Sequence, residues 1–317
     1  MSPVANSSRP SKACFVAKSI VIGANGFLGS SLVDELAEHG HTVTAFDRFS
    51  RPPAYSASVN RVSADFLDPD ALARAVDGHD HVFHFLSTTT PATADSDPVR
   101  DARENVLPSI HLLQACVLAG VGTVHFASTG GAIYGDQGDA PVSETTRPEP
   151  VSPYAIGKLA IEGYLAYFAR KHALRSVTYR ISNPYGPRQL ANRSQGVIPT
   201  FLRRLRQGEP VQVFGDGSSV RDYVHVDDAV RMIVNTVGHP TEHETYNVGS
   251  GQGTSLRELL EVVGRVTGTE PTIEYLEQPA TFVHRSVLDT SRYVAEFGPQ
   301  RLRSLEEGIG QTWRHTA

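Results

Sequence analysis

Short apolar runs alternate with longer amphipathic segments over the first part of the chain. Runs rich in β-branched and aromatic residues predict strands at 19–23, 42–47, 61–65, 81–86, 123–128 and 175–182. The segments between them have helical spacing, most clearly after the first run, at Leu28, Leu32 and Leu36, and over 99–119 and 153–171. This alternation predicts an α/β fold in which helices cover both faces of a doubly wound parallel sheet.

Beyond residue 182 the pattern loosens. Loops rich in glycine, proline and arginine alternate with short predicted helices at 197–207, 227–237 and 254–266. We therefore expect a flexible tail at 1–17, a first domain over 18–182 and a smaller C-terminal α/β domain over 183–317. Residues 222–250 are expected to return in part to the first domain.

Composition narrows the class of protein. Of 317 residues, 40% are apolar and 20% charged, and the formal net charge is -5, which argues against general nucleic-acid binding. The two cysteines, Cys14 and Cys116, make a disulfide framework improbable. No apolar run reaches membrane-spanning length, and the polar N-terminus lacks the apolar core of a signal peptide. We expect a cytoplasmic protein with neither membrane partner nor metal site.

The stretch GANGFLG directly follows the first predicted strand and opens a helix. Its three glycines are Gly23, Gly26 and Gly29. They suit a tight turn that approaches a pyrophosphate at a helix N-terminus, the alternative being an ordinary strand-to-helix turn. Asp47 ends the second strand, where a carboxylate accepts from ribose hydroxyls and repels a 2′-phosphate, although the adjacent Arg48 would tolerate one. The motif predicts a Rossmann-type fold with bound NAD. Asp65 either binds the adenine amine or closes a turn.

A second group of residues has catalytic character. The stretch HFASTGGAIYG places Ser128 and Thr129 where the fifth strand ends. The stretch YAIGK places Tyr154 and Lys158 four residues apart, and hence on one face of a helix. A lysine ammonium near a tyrosine favours the phenolate, which can remove a proton from a sugar alcohol while hydride leaves its carbon. The strand-end hydroxyl would orient the reacting oxygen.

Six motifs in this order resemble one family: GANGFLG, FASTGGAIYG, SPYAIGK, RISNPYGPRQ, FGDGSSVRDYVHVDD and YNVGSG. Over roughly residues 18–315 the chain resembles the extended short-chain dehydrogenase/reductases of the sugar-nucleotide epimerase/dehydratase group, most closely the bacterial UDP-glucose and UDP-N-acetylglucosamine 4-epimerases. Such enzymes use bound NAD to oxidise C4 of the hexose and return hydride to the other face.

The resemblance implies roles for further residues. Tyr154 would be the base, Lys158 its tuner and a nicotinamide-ribose ligand, and Thr129 the hydroxyl partner, with Ser128 as a second contact or a strand-end hydrogen bond. Other implied cofactor contacts are Asn25, Phe27, Leu28, Phe66, Leu86, Ser87, Asn105 and Tyr185. Implied substrate contacts are Thr88, Asn183, Arg188, Val197, Gln212, Phe214, Arg221, Arg285 and Ser286. The family also implies a homodimer formed by the helices at 99–119 and 153–171.

Several positions depart from the pattern of relatives. Dehydratases carry Asp-Glu after the threonine, where this chain has Gly130 and Gly131 or Ala132, so a 4,6-dehydratase is disfavoured. An Arg-x-Gly-Asp segment on phosphate is replaced here by a stretch with Pro279 and Phe282, and Arg285 or His284 are the candidate substitutes.

Three further positions bear on the sugar pocket. The threonines 88–90 either add hydroxyls to the pocket or satisfy loop backbone groups. Ser286 is small where some relatives have tyrosine, which leaves room for an N-acetyl group. Asn183 and Leu190 differ from the residues of UDP-glucuronate enzymes.

The leading hypothesis is thus an NAD-dependent UDP-hexose 4-epimerase that also accepts N-acetylhexosamines. The first alternative is an NDP-4-keto-6-deoxysugar reductase, which would share the tyrosine–lysine pair but consume NAD(P)H. The second is an NAD-sensing regulatory protein on the same fold, which would have no need for Tyr154 and Lys158 together.

Overall fold

The computed structural model describes residues 17–189, 196–278 and 282–316. The predictions for the N-terminal tail (apart from Ala17), Cys14, Leu190 and Pro279 lie outside these residues. No helix in the described ranges has both the length and the apolar character to cross a bilayer.

A seven-stranded parallel sheet forms the larger part of the molecule. Its strands, in chain order, are β1 (Lys18–Ile22), β2 (Thr42–Asp47), β3 (Asn60–Ser63), β4 (His81–His84), β5 (Thr123–Thr129), β6 (Arg175–Ile181) and β10 (Thr245–Val248). Their spatial order is β10-β6-β5-β4-β1-β2-β3, and every neighbouring pair is parallel. The predicted doubly wound parallel sheet is confirmed. The seventh strand comes from beyond residue 222.

Helices cover both faces of this sheet because its central strands, such as β1 and β4, are buried on both sides. On one face lie α1 (Phe27–Glu38) and α9 (Val226–Val234), whose residues Leu32, Leu36 and Ile233 are fully buried. On the other lie α2 (Pro69–Val76), α5 (Leu107–Leu118) and α7 (Pro153–His172), which bury Leu72 and Leu112, among others. The tyrosine and lysine of YAIGK therefore belong to the second face.

The predicted helix at 99–119 is built of several pieces. After α3 (Pro91–Ser96), α4 (Pro98–Asp101) runs into a π-helical turn over Ala102–Val106 before α5 begins. A π turn widens the backbone locally and is frequent at functional sites. Helix α7 begins as predicted: Ser152 is the N-cap, accepting from the N–H of Ala155 at 3.3 Å, and Pro153 stands at the first helical position.

The remaining strands form a smaller unit. These are β7 (Asn183–Tyr185), β8 (Val211–Phe214), β9 (Val220–His225), β11 (Gly253–Ser255), β12 (Ile273–Leu276) and β13 (Arg285–Ser286). Strand β9 pairs with β7, β11 and β13, and β8 pairs with β12. The other helices are α6 (Gly130–Ile133), α8 (Val197–Arg206), α10 (Leu256–Thr267), α11 (Ser291–Phe297) and α12 (Leu305–His315). An apolar core built on Phe201, Leu202, Leu259 and Ile309 holds α8, α10 and α12 together.

Candidate active site

The glycine turn lies where β1 meets α1. Gly23 has φ +91°, and a Cβ there would come within 2.8 Å of the backbone nitrogen of Leu86 at the end of β4. The Gly26 N–H donates to the Gly23 carbonyl at 3.0 Å, and α1 begins at the next residue without a side-chain cap. The turn is thus a cradle next to uncapped helical N–H groups, which suits a pyrophosphate.

The acidic residue of the second strand lies next to this turn. The Asp47 carboxylate accepts from the backbone N–H of Asn25 at 3.0 Å and from that of Arg48 at 2.8 Å. Arg48 also lies 4.0 Å from Asp65 across the surface. A partly exposed carboxylate beside a glycine cradle has the acceptor oxygens that a ribose diol requires, so the residues present fit NAD.

Other predicted cofactor residues fall into two groups. Phe27 and Leu28 open α1, Leu86 and Ser87 follow β4, and all four are half-buried. The remaining side chains are engaged within the protein. Asn25 binds the loop at 51–54, Phe66 is 2% exposed in the core, and Tyr185 packs into the C-terminal core. Those three side chains bind or pack within the protein, so a ligand would contact the backbone atoms of these residues.

Tyr154 and Lys158 lie on the inner face of α7, under the end of β5. The Lys158 ammonium donates to the carbonyl oxygen of Ala127 at 2.9 Å and lies 5.8 Å from the centroid of the Tyr154 ring. It also lies 4.8 Å from the centroid of the Phe126 ring. The helix and the strand end are therefore joined through the lysine.

Burial sets the protonation of this pair. It raises the pKa of Tyr154 to about 12, a shift to which the nearby Asp101 carboxylate also contributes. Burial lowers the pKa of Lys158 to about 8, although Asp101 and Glu162 oppose that shift. Tyr154 is thus a phenol at neutral pH until further positive charge reaches it.

The two strand-end hydroxyls have different surroundings. Ser128 is buried, and its hydroxyl donates to the Glu162 carboxylate at 2.6 Å, while Glu162 is paired with Arg180 at 2.7 Å. This is the strand-end hydrogen bond among the two roles predicted for Ser128. Thr129 is half-buried, and within the described ranges its hydroxyl has no hydrogen-bond partner. Thr129 is therefore the hydroxyl available to a ligand.

The loop after β4 is held by a buried polar network that the sequence did not reveal. The Asn105 side chain accepts from the Thr88 backbone N–H at 2.8 Å and donates to the Thr89 hydroxyl at 2.8 Å. It also donates to Asp101 at 3.0 Å, and Thr89 donates to the same carboxylate oxygen. Thr90 caps α3. Thr90 thus satisfies a loop backbone group, one of the two predicted roles, whereas the hydroxyls of Thr88 and Thr89 bind the side chains of Asn105 and Asp101. A contact with the sugar stays a prediction.

Two predicted substrate residues, Asn183 and Ser286, converge on the turn after Thr129. A Cβ at Gly131 would lie 3.2 Å from the Asn183 side-chain oxygen, and the Ser286 hydroxyl lies 3.4 Å from the Gly131 carbonyl. Asn183 also donates to the Asp222 carbonyl at 3.1 Å. Residues more than 150 positions apart in sequence therefore meet at the turn of Gly130 and Gly131. This turn carries no carboxylate.

The predicted diphosphate arginines are placed differently from one another. Arg221 donates to the carbonyls of Val283, at 2.6 Å, and His284, at 3.1 Å, and burial lowers its pKa. The Nε of Arg285, which directly follows His284, is buried without a hydrogen-bond partner in the described residues. Arg188 has φ +71° and forms a 2.8 Å ion pair with Asp34 on α1. Arg221 and Arg285 therefore lie near the same segment, and Arg188 lies apart, tied to the first unit.

The residues predicted to contact the nucleotide base lie on β8 and α8. Gln212 is held between Arg204, at 2.9 Å, and Glu274, at 3.0 Å, while Phe214 is 45% exposed at the strand end. Val197 opens α8. The side chain of Gln212 is thus engaged, and the apolar face available at this end of β8 is Phe214.

The chain is similar to known proteins over most of its length. A model of the NAD dependent epimerase/dehydratase family matches residues 19–249. The chain is 36% identical over 303 residues to a UDP-glucose 4-epimerase of Mycolicibacterium smegmatis, covering 93% of this chain and 97% of the relative.

Two solved structures are similar in fold and sequence. One is the UDP-glucose 4-epimerase of Thermotoga maritima with UDP-glucose, with TM-score 0.89 and 35% identity, covering 94% of this chain and 98% of that one. The other is the UDP-glucose 4-epimerase of Thermus thermophilus in complex with NAD, with TM-score 0.88, 33% identity and the same coverage. Similarity thus extends over nearly the whole length of each protein.

Proposed function

Because the chain belongs to the NAD dependent epimerase/dehydratase family, we propose that it is a 4-epimerase of UDP-hexoses, interconverting UDP-glucose and UDP-galactose through a transient 4-keto sugar. One observation carries the proposal: the half-buried Tyr154 and the buried Lys158 lie under a strand end whose next residues are glycines. The pair serves oxidation of an alcohol, and the glycines offer no acid or base for elimination.

The cofactor proposed for this site is NAD. The cradle at Gly23 and Gly26 and the first N–H groups of α1 would hold its pyrophosphate, and Asp47 its adenosine ribose. Bound there, NAD would supply the acceptor for the hydride of C4 and the donor for its return.

The chain's own groups manage the proton. Tyr154 removes the proton of the sugar 4-hydroxyl and gives it back at the end of the cycle. Lys158, held by the Ala127 carbonyl, stabilises the phenolate by its charge. Thr129, whose hydroxyl is unengaged among the described residues, donates to the reacting oxygen and orients it.

The residues around Gly131 are proposed to bind the hexose. Asn183 and Ser286 approach this turn from β7 and β13. Arg221 and Arg285 would bind the diphosphate, because guanidinium groups bind phosphate oxygens through paired hydrogen bonds. Ser286 leaves space beside the sugar, so we propose that N-acetylhexosamines are accepted as well.

A homodimer is proposed from the outer faces of α5 and α7, which pack against each other. Large apolar side chains are exposed on this pair of helices, namely Leu107, Leu118, Ile156, Tyr164 and Tyr167. Large apolar side chains exposed on neighbouring helices are typical of a subunit interface. Light scattering should give twice the 34.3 kDa chain mass. A Tyr164→Glu, Tyr167→Glu variant should give the monomer, and a wild-type monomer would refute the dimer.

The function is tested by cofactor behaviour. Purified protein should convert UDP-galactose to UDP-glucose with no added cofactor and no net change in NADH absorbance. Conversion that consumes stoichiometric NADPH would instead indicate the sugar reductase. Protein with no turnover, whose biological effect survives Tyr154→Phe, would indicate the NAD sensor.

A further inference from the structure

Asp101 is a buried carboxylate of the active-site region to which the reaction above gives no role. It ends α4, immediately before the π-helical turn, and is 3% exposed. Its bonded partners are the Thr89 hydroxyl and, at 3.0 Å, the Asn105 amide, both of which are neutral donors. Among the described residues it forms no ion pair. A carboxylate without a paired cation is costly to bury, so its position calls for a compensating charge nearby.

The carboxylate lies against the catalytic helix at Gly157, whose lack of a side chain leaves space for it. A Cβ at Gly157 would overlap Asp101 Oδ2. Gly157 precedes Lys158 directly and follows Tyr154 by three residues, so the carboxylate touches α7 between the two catalytic side chains. The glycine of YAIGK thus makes room for an acid from another helix.

The other titratable groups described near Lys158 do not supply an uncompensated negative charge. Glu162, one turn further along α7, is 2.7 Å from Arg180 of β6, which offsets its charge. His84 on β4 carries no charge at neutral pH, since burial and then the charge of Lys158 lower its pKa to about 3. In the part of the chain that the structure describes, Asp101 is the carboxylate of this region that has no other cation.

We propose that Asp101 is a positioning residue that acts through Lys158. Its carboxylate, packed on Gly157, keeps the Lys158 ammonium charged and holds the loop of Thr88 and Thr89 against the catalytic helix. The proposal deepens the epimerase mechanism and rests on it, because a neutral lysine would no longer stabilise the Tyr154 phenolate.

The physical reason is the balance of burial and charge. Burial alone moves the Lys158 titration toward neutral pH, and Asp101 is the first of the groups that oppose this shift. Loss of its charge should lower the pKa of Lys158 by about one unit. At pH 7.5 the lysine would then change from mostly charged to mostly neutral.

The test is a lysine titration by NMR on NAD-loaded protein labelled with ¹³C at the lysine ε carbon. The chain has only four lysines, and the signal lost in Lys158→Arg assigns Lys158. In Asp101→Asn, which keeps the shape and the neutral hydrogen bonds, the Lys158 midpoint should move to lower pH by about one unit. In the control Asp95→Asn, an exposed acid six residues earlier, it should stay where it is in the wild type.

Two further measurements keep the test decisive. Gly157→Ala displaces the carboxylate without changing any charge and should also lower the pH at the midpoint of the Lys158 titration. This variant tests the proposal even if Asp101→Asn does not fold. The limb of the pH profile of turnover that follows Lys158 should shift to lower pH in Asp101→Asn, because the lysine loses its charge at a lower pH. An unmoved Lys158 midpoint in either variant would overturn the proposal. The titration needs no substrate, so its result does not depend on whether the protein is active as an epimerase.

Discussion

The Lys158 ammonium lies 2.9 Å from the carbonyl oxygen of Ala127, two residues before Thr129. This hydrogen bond joins the catalytic helix α7 to the strand end that presents the hydroxyl. The three proposed catalytic side chains are therefore held on two rigid elements rather than on mobile loops, which favours a fixed geometry for proton transfer.

Replacement of Tyr154 by phenylalanine should lower kcat for UDP-galactose by about 10³-fold, because the general base is lost while the ring remains. NAD content and the unfolding midpoint should stay near the wild-type values. Tyr164→Phe on the outer face of the same helix is the matched control and should keep full activity. Residual activity within about tenfold of wild type would remove Tyr154 from the mechanism.

The two strand-end hydroxyls should separate by their effects. Thr129→Ala should lower kcat by about 100-fold with little change in stability, since its hydroxyl is engaged by substrate rather than by the protein. Ser128→Ala should keep most turnover and lose about 2 kcal/mol of unfolding free energy, because it leaves Glu162 with one donor fewer. Both are read by steady-state kinetics and urea unfolding. The reverse pattern would place the catalytic hydroxyl one residue earlier.

Acid should destabilise the protein through its buried histidines. Burial lowers the pKa of His81 to about 4 and that of His84 to about 3. The folded state therefore binds fewer protons than the unfolded chain, whose histidines titrate near about pH 6.5. The contribution of the neutral histidines to the free energy of unfolding is complete above that pH and is lost as the pH falls below it. For His84 the loss at pH 5 is about 2 kcal/mol.

Urea unfolding between pH 7.5 and 5 measures this loss. The His84→Gln variant should show a shallower decline than wild type, whereas His172→Gln, at an exposed position, should follow the wild-type curve. Equal slopes in all three proteins would assign the acid sensitivity to other groups.

Replacement of Ser286 by tyrosine should narrow the substrate range. Ser286 is 7% exposed and lies beside Gly131 in the proposed sugar pocket, so a large ring would fill the space of an N-acetyl group. We expect kcat/KM for UDP-N-acetylgalactosamine to fall by about tenfold or more relative to that for UDP-galactose. Ser286→Ala, which keeps the space, should retain both activities. Equal losses on both substrates in the tyrosine variant would refute the steric explanation.

Local patterns in the sequence were sufficient to predict the parallel sheet and the functional residues that share one helix or strand. The apolar runs predict the first six strands to within a few residues, and the spacing of Tyr154 and Lys158 predicts their shared helix face. Ser152 and Pro153 predict the start of α7, because capping depends on adjacent residues alone. Such features depend on neighbours in sequence, which a pattern can show.

Contacts between distant segments were beyond the reach of periodicity. The role of Gly157 is visible only once Asp101 is packed on it, and nothing in YAIGK indicates that an acid from residue 101 fills the gap. The hydrogen bond from Ser128 to Glu162 and the pairing of Glu162 with Arg180 likewise join residues 18 to 34 positions apart. The break of the predicted helix into α4, a π turn and α5 has no apolar signature either.

The most direct test of the central claim uses UDP-galactose carrying deuterium at C4, incubated with the purified protein and no added cofactor. Proton NMR of the sugar should show conversion to UDP-glucose with the deuterium retained at C4, because the hydride that leaves this carbon returns to it. Replacement of that deuterium by solvent hydrogen, or no change of configuration without added NADPH, would contradict a 4-epimerase that works by transient oxidation.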